Sequence, residues 1–128
     1  MSTIAITKEN IDSTIKENSI VILDCWADWC GPCKTFGPIF EDASAKHDDV
    51  IFGKINTEQE KEIAANFGIR SIPTIIAFRE QIPVFMQAGA LPAESFEELL
   101  GKIKELDMDS VREEVAKREA EMKQKASK

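Results

Sequence analysis

The stretch Ile20-Val-Ile-Leu-Asp-Cys-Trp-Ala-Asp-Trp-Cys-Gly-Pro-Cys33 joins an apolar run to two cysteines that are separated by two residues. The run from Ile20 to Leu23 does not alternate with polar residues, which is typical of a strand buried on both faces. Asp24 continues this strand, and a buried carboxylate is unfavourable unless it has a partner or a task. Cys30 and Cys33 follow in a predicted strand-to-helix turn, where backbone N–H groups favour a thiolate.

The composition fits one compact domain that needs no disulfide staples. The chain has 128 residues, 43% of them hydrophobic, and a net charge of −7. Nucleic acid is not an expected partner, because its phosphates require clustered Lys and Arg and no basic run occurs. No apolar run approaches the ~20 residues of a membrane helix, and no signal-peptide pattern opens the chain. We therefore expect a cytoplasmic protein, in which a close cysteine pair is catalytic or metal-binding.

The first half of the chain predicts a βαβ unit. Strands are predicted over residues 3–7, 20–26 and 50–55, and helices over residues 8–17, 33–46 and 58–67. Thr7 is the predicted cap of the first helix, Pro38 should kink the second, and the capping-box pattern from Thr57 to Glu60 should open the third. Gly68 should end the third helix. Two buried strands joined through a helix predict parallel pairing.

The second half predicts an antiparallel hairpin and two helices. Strands over residues 74–78 and 82–87 are separated by only three residues, too few for a parallel crossover. A helix over residues 93–106 follows, with its apolar side formed by Phe96, Leu99, Leu100, Ile103 and Leu106. The charged residues 107–128 predict a solvated helix with ion pairs four residues apart: Glu113–Lys117, Glu114–Arg118, Glu119–Lys123 and Glu121–Lys125. We expect residues 1–106 to form the domain and residues 107–128 a helical extension.

The two cysteines suggest complementary roles in thiol–disulfide exchange. Cys30 should be the more exposed, with its thiolate favoured by the helix start, so it would attack a disulfide. Cys33 should lie about one turn further in and resolve the mixed disulfide. Asp24 is the candidate base for the Cys33 proton, because burial raises the pKa of a carboxyl group. Lys54, on the neighbouring strand, would supply a compensating charge or extend its ammonium to solvent.

Metal binding is the alternative use of such cysteines. The spacing of Cys25, Cys30 and Cys33 matches one iron–sulfur pattern, but the fourth cysteine that it needs is absent, since the chain has three. A zinc site would have to add His47, yet Cys25 should face away from Asp24 and His47 should lie past the far end of the helix. We therefore expect no bound metal, Cys25 as a small core residue and His47 as a surface residue.

The segment Trp29-Cys-Gly-Pro-Cys-Lys34 resembles the active-site segment of the thioredoxins. The resemblance covers about residues 3 to 106 and includes Lys54, Phe67-Gly-Ile-Arg-Ser-Ile-Pro-Thr74 and Gly89-Ala-Leu91. It implies an α/β thioredoxin fold, in which a mixed sheet with a parallel βαβ half and an antiparallel hairpin is flanked by helices on both faces. It also implies a cis bond before Pro73. A flat apolar surface for substrate proteins is implied at Trp29, Gly31, Pro32, Ile72, Pro73, Ala88 and Gly89.

The resemblance implies a protein-disulfide reductase that holds no cofactor of its own. Electrons would come from NADPH through a thioredoxin reductase, and the partners would be that reductase and disulfide-containing proteins. The expected state is a monomer. The sequence leaves an isomerase or oxidase open, and also a binding or stress-response module whose C-terminal tail docks a dedicated partner. It departs from the family at Cys25, at the hairpin turn without glycine and in the tail after residue 106.

Overall fold

The computed structural model describes residues 3–126. Its elements are β1 (Thr3–Ala5), α1 (Ile11–Glu17), β2 (Ile20–Trp26), α2 (Gly31–Lys46), β3 (Ile51–Asn56), α3 (Lys61–Phe67), β4 (Thr74–Arg79), β5 (Ile82–Ala88), α4 (Ala93–Lys104) and α5 (Met108–Ala126). The strands form one sheet in the order β1-β3-β2-β4-β5. β3 pairs in parallel with β1 and β2, whereas β4 runs antiparallel to both β2 and β5. The predicted fold class is therefore confirmed.

β2 lies at the centre of the sheet and is buried on both faces. Each residue from Ile20 to Cys25 is at most 8% exposed. Side chains alternate along a strand, so Ile20 and Ile22 pack with α2 and α4, whereas Val21 and Leu23 pack with α1 and α3. The unalternated apolar run in the sequence thus reflects helices on both faces of the sheet.

Aromatic packing fixes α2 on the sheet. The rings of Phe36 and Phe40 on α2 contact Phe52 on β3 and Phe96 on α4, with closest ring centroids 5.2 Å apart. All four rings are fully buried. Phe36 lies about one turn after Cys33, so this cluster holds the N-terminal end of α2, and the cysteines on it, against β2.

Two helices begin later than the sequence patterns predict. α1 begins at Ile11 rather than at residue 8, because the Asn10 side chain accepts from the Thr7 N–H and donates to the Ala5 carbonyl. α3 begins at Lys61, since the Thr57 hydroxyl donates to the carbonyl of Trp26 on β2 instead of capping the helix. Both capping predictions are wrong: the Asn10 side chain bonds back to β1 ahead of α1, and the predicted cap Thr57 bonds to β2.

The prediction that Gly68 ends α3 is confirmed, and the hairpin turn is corrected. Gly68 ends α3 in the left-handed conformation, with φ of +68°. Pro83 lies on the edge strand, as its missing N–H favours. The hairpin turn contains two residues rather than three, because Arg79 pairs with Ile82 and belongs to β4.

The C-terminal region is helical as predicted, but it is not simply solvated. α4 ends at Lys104, and Leu106 lies beyond it, 36% exposed. α5 buries Met108, and of the four predicted ion pairs the structure contains Glu114–Arg118. Along residues 3–126, none of the helices combines the length and apolar composition needed to cross a membrane.

His47 is not the surface residue that the sequence suggests. It is the C-cap of α2, and its side chain is only 17% exposed. Its Nε2 atom lies 2.7 Å from a carboxylate oxygen of Glu97, and the ammonium of Lys104 lies 2.7 Å from its Nδ1 atom. Lys104 also pairs with Asp49. This network ties the end of α2 to α4, far from the cysteines.

Candidate active site

The two cysteines of the turn form a disulfide at the N-terminus of α2. Cys30 is the N-cap residue, with extended backbone angles, and Pro32 occupies the first turn, where its missing N–H is tolerated. The Cys30 Sγ atom accepts a hydrogen bond from the backbone N–H of Cys33, at 3.2 Å. After reduction, the same N–H group and the helix dipole would favour a thiolate on Cys30.

Exposure does not distinguish the two cysteines. Cys30 is 4% exposed and Cys33 is 6% exposed, so the prediction that Cys30 is the more open residue is wrong for the disulfide form. Their surroundings do differ. The Cys30 sulfur lies 3.6 Å from the carbonyl oxygen of Ile72, whereas Cys33 lines a cavity that also reaches Asp24. Cys30 therefore adjoins the loop before β4, and Cys33 adjoins the buried acid.

Asp24 is a buried carboxyl group at the centre of the sheet. It is 1% exposed, and neither carboxylate oxygen accepts a hydrogen bond from any of residues 3–126. Burial raises the pKa of Asp24 to about 6, partly opposed by the positive charge of Lys54. The cavity beside it has a volume of about 200 Å³ and is also lined by Trp26 and Cys33. Asp24 thus lies on the Cys33 side of the disulfide, with a pKa suited to proton transfer near neutral pH.

Lys54 is the register partner of Asp24 on β3, as predicted. Its ammonium lies over the ring of Trp26, 5.3 Å from the ring centroid, and both side chains line the Asp24 cavity. This arrangement places a positive charge near the carboxyl group and holds it by a cation–π contact. Sequence reasoning missed Trp26 as part of this site, although strand alternation places it on the same face as Asp24.

The segments expected to form a substrate surface border the disulfide. The peptide bond between Ile72 and Pro73 is cis, and the Pro73 carbonyl accepts from the Gly89 N–H at 2.8 Å. Pro73 is buried and Ile72 half-buried. The other five predicted residues are exposed: Trp29, Gly31, Pro32, Ala88 and Gly89.

Trp29 is the largest apolar group exposed beside the cysteines. It is 69% exposed, and its indole N–H donates to a carboxylate oxygen of Glu58 at 2.8 Å. Sequence reasoning does not identify Glu58, because nothing in the local pattern links two positions 29 residues apart. The fold brings them together, since the β3–α3 connection passes beside the cysteine turn.

Cys25 lies outside this site. It is fully buried in the core on the α1 and α3 side of the sheet, as predicted. Burial and the charge of Asp24 raise the pKa of the Cys25 thiol to about 12, so it stays protonated and unreactive at neutral pH. Within residues 3–126, no group of three or more His, Cys, Asp and Glu side chains is placed to hold a metal ion.

Comparisons with known proteins agree with this geometry. The sequence matches the thioredoxin family model over residues 2–105. It is 49% identical over 120 residues to a protein named putative thioredoxin 2 from Streptomyces coelicolor, covering 94% of this chain and 90% of that protein. That alignment must extend beyond residue 106. A thioredoxin from Alicyclobacillus acidocaldarius is 36% identical over 103 residues, covering 80% of this chain and 98% of that one.

Solved structures give the same result. A mutant thioredoxin from Halobacterium salinarum superposes with a TM-score of 0.76 at 25% identity, over 82% of this chain and 93% of that one. A thioredoxin from Plasmodium falciparum superposes with a TM-score of 0.72 at 30% identity, over 78% of this chain and 97% of that one. With the Cys30–Cys33 pair at the start of α2, these matches show that the chain belongs to the thioredoxin family and is a thiol–disulfide oxidoreductase.

Proposed function

We propose that this protein reduces the disulfides of protein substrates, with Cys30 as the attacking residue and Cys33 as the resolving residue. The observation that carries this assignment of roles is the cavity shared by Cys33 and Asp24. Cys30 instead adjoins the Ile72 carbonyl, on the side where a substrate chain would lie. The different surroundings of the two cysteines therefore support separate roles for Cys30 and Cys33, although their exposed fractions do not.

The reaction transfers two electrons to the substrate. The Cys30 thiolate attacks one substrate sulfur, forms a mixed disulfide and releases the other substrate sulfur as a thiolate, which takes up a proton. Cys33 passes its proton to Asp24 and attacks the Cys30 sulfur. That step releases the second substrate thiolate and forms the Cys30–Cys33 disulfide. A pKa of about 6 for Asp24 supports its role as proton acceptor, and the nearby charge of Lys54 supports its ionised form.

The proposed substrate surface consists of the apolar residues around the disulfide. Trp29, Pro32 and Ala88 offer exposed contact area, and the backbone at Ile72 offers a carbonyl beside Cys30. Gly31 and Gly89 present backbone without side chains. Pro73 shapes the loop before β4, whose carbonyls lie beside Cys30 and Gly89. An extended peptide next to a substrate disulfide fits this kind of surface, because its main chain can bond to exposed backbone groups.

The wider assignments rest on membership of the family. We propose that a thioredoxin reductase regenerates the dithiol with electrons from NADPH, and that the protein acts in the cytoplasm as a monomer. The extent of the family match, residues 2–105, supports a thioredoxin-family domain over residues 1–106 and an extension over residues 107–128 that is not part of the family pattern.

Reduction of insulin disulfides tests the proposal. Cys30→Ser should abolish activity, because the thiol proposed to attack the substrate disulfide is then absent. Cys33→Ser should accumulate a mixed disulfide with substrate, since attack proceeds but resolution does not. Cys25→Ala is the matched control and should keep the wild-type rate, because that thiol lies on the other face of the sheet. Activity in Cys30→Ser equal to wild type would overturn the assignment.

The direction of electron flow needs its own measurement. Equilibration with glutathione buffers gives the reduction potential of the Cys30–Cys33 pair. A reductase should have a potential near or below that of the cytosolic glutathione pool, whereas an oxidase or isomerase should lie well above it. A potential in the higher range would replace the reductase role with one of the other two.

A further inference from the structure

The turn of the β4–β5 hairpin has a backbone conformation that side chains disfavour. Glu80 has a φ of +49° and Gln81 a φ of +73°. Two-residue turns with positive φ at both positions usually contain Gly, Asn or Asp, because other residues are strained there. Such a turn keeps its shape when its surroundings hold it in place. The contacts around Glu80 and Gln81 therefore determine the stability of the edge hairpin.

Two neighbouring segments hold the turn from the domain side. The Glu80 N–H donates to the Ser19 carbonyl at 2.8 Å, which ties the turn to the segment between α1 and β2. The Arg79 guanidinium donates to the carbonyls of Ile103 and Lys104, at 2.7 and 3.2 Å. These carbonyls end α4, so Arg79 also caps that helix. The turn thus adjoins the point from which the chain continues into α5.

α5 supplies a third set of polar contacts. The Arg112 guanidinium pairs with Glu80 in the turn and with Asp109 at 2.6 Å. Asp107 caps α5 by accepting from the N–H groups of Asp109 and Ser110, at 3.1 and 3.3 Å. Hydrogen bonds from Ser110 hold the pKa of the Asp107 carboxyl below its ordinary value. The cap therefore starts α5 shortly after α4 ends and directs its first turns toward the hairpin.

Apolar side chains on α5 and β5 accompany the ion pair. Met108 is 6% exposed, and Val111 and Val115 are half-buried. The two valines face the first residues of β5 across an open cavity of about 250 Å³. Its other apolar walls are Ile82, Pro83, Val84 and Leu106. The apolar side of the first two turns of α5 thus faces the edge strand rather than solvent.

The second half of α5 differs from the first. Every residue from 116 to 126 is exposed, and Met122 is 70% exposed. The half-buried apolar positions of the helix therefore end at Val115. A helix that changes from half-buried to fully exposed along its length belongs to the domain only over its first part.

We propose that residues 108–115 are the last element of the folded domain and brace the turn of the β4–β5 hairpin, whereas residues 116–126 project from it. The cooperative unit then ends within α5 rather than at residue 106. The brace acts at the Ile82 end of β5, and the redox pair adjoins the Ala88 end. It therefore stabilises the edge hairpin without taking part in thiol–disulfide exchange.

The double variant Val111→Ala/Val115→Ala tests the brace. Alanine has a higher helix propensity than valine, so any loss of stability must come from lost packing rather than from the helix itself. We expect the backbone amides of Glu80, Gln81, Ile82 and Val84 to exchange hydrogen at least about tenfold faster. The midpoint of thermal unfolding should fall by about 4 °C. Met122→Ala, on the exposed half, is the control and should change neither quantity.

Truncations provide a second measurement of the boundary. A chain ending at Arg118 should unfold at the full-length midpoint, and the midpoint of a chain ending at Leu106 should fall by at least as much as that of the double variant.

The proposal is wrong if hairpin exchange is unchanged in Val111→Ala/Val115→Ala, or if Met122→Ala has the same effect. A fall in insulin reduction with hairpin protection intact would also overturn it, because α5 would then act on the redox end. Hydrogen exchange needs no activity, so this test is independent of the proposed function.

Discussion

Asp24→Asn should make the oxidised protein more stable and a poorer catalyst. The variant keeps the shape of the side chain but removes its ionisation. Asp24 is 1% exposed, and its oxygens accept no hydrogen bond from the part of the chain that the structure describes. Folding therefore opposes the charged form, which the unfolded chain exposes to water. We expect the gain in stability to depend on pH in a way that identifies this carboxyl group.

The magnitude follows from the pKa shift. Burial raises the pKa of Asp24 from its ordinary value of 3.8 to about 6 in the folded state. Between those values the folded state binds more protons than the unfolded state, so the wild type loses stability as pH rises. The rise in pKa from 3.8 to about 6 corresponds to a free energy of unfolding of about 3 kcal/mol. The wild type has lost all of this stability above about pH 6. Below about pH 4 the carboxyl group is protonated in both states, and the variant should gain little.

Urea unfolding of the oxidised proteins at pH 4 and pH 8 measures this difference. The disulfide keeps Cys30 and Cys33 from titrating, so their thiols do not contribute. Asp42→Asn, at an exposed position of α2, is the matched control and should change stability little at either pH. An Asp24→Asn gain of equal size at pH 4 and pH 8 would show that ionisation of Asp24 is not its source. In the catalytic assay, the variant should resolve the mixed disulfide more slowly while forming it at the wild-type rate.

Two further substitutions probe the backbone. Gly53→Ala should destabilise the protein by about 1–3 kcal/mol, because a Cβ atom there would lie 2.5 Å from Ile6 Cγ1 and 2.9 Å from Leu23 Cδ2 in the core. The same change at Gly101 in α4, which has open space around it, should stabilise the protein by about 1 kcal/mol. The urea midpoint should therefore fall in Gly53→Ala and rise in Gly101→Ala, and equal shifts in the two variants would contradict the packing explanation. Gln81→Gly should stabilise by about 0.5–1 kcal/mol, since it relieves a positive φ. Gln87→Gly within β5 should destabilise instead, and a loss of stability in both glycine variants would show that the turn is not strained.

Local sequence patterns are sufficient to predict the elements that form the sheet. The run from Ile20 to Leu23 indicates a central strand, and the short gap after Phe78 requires an antiparallel hairpin; both are confirmed. The placement of Cys25 on the face opposite Asp24 is also correct, because alternation along a strand is a local property. Helix starts are less predictable, since Asn10 and Thr57 bond to segments that the pattern does not include.

The location of the candidate site can be predicted from the sequence, but its properties cannot. Spacing brings Cys30, Cys33 and Asp24 to one end of β2, and the resemblance adds the surface around them. The predicted exposure of the cysteines is wrong, because the loop at Ile72 covers Cys30 in a way that no local pattern encodes. The contact between Trp29 and Glu58 is missed for the same reason.

The chemistry available to this protein can be read from its sequence: two thiols at a helix start, a carboxyl group in a buried strand and a lysine on the next strand. These features follow from residue type and short spacing, which act over a few residues. Three features emerge only when the chain is folded: the size of the pKa shift at Asp24, the identity of the cysteine that shares its cavity, and the position of the first half of α5 beside β5. Desolvation and packing depend on every atom around a group, and those atoms come from distant parts of the chain.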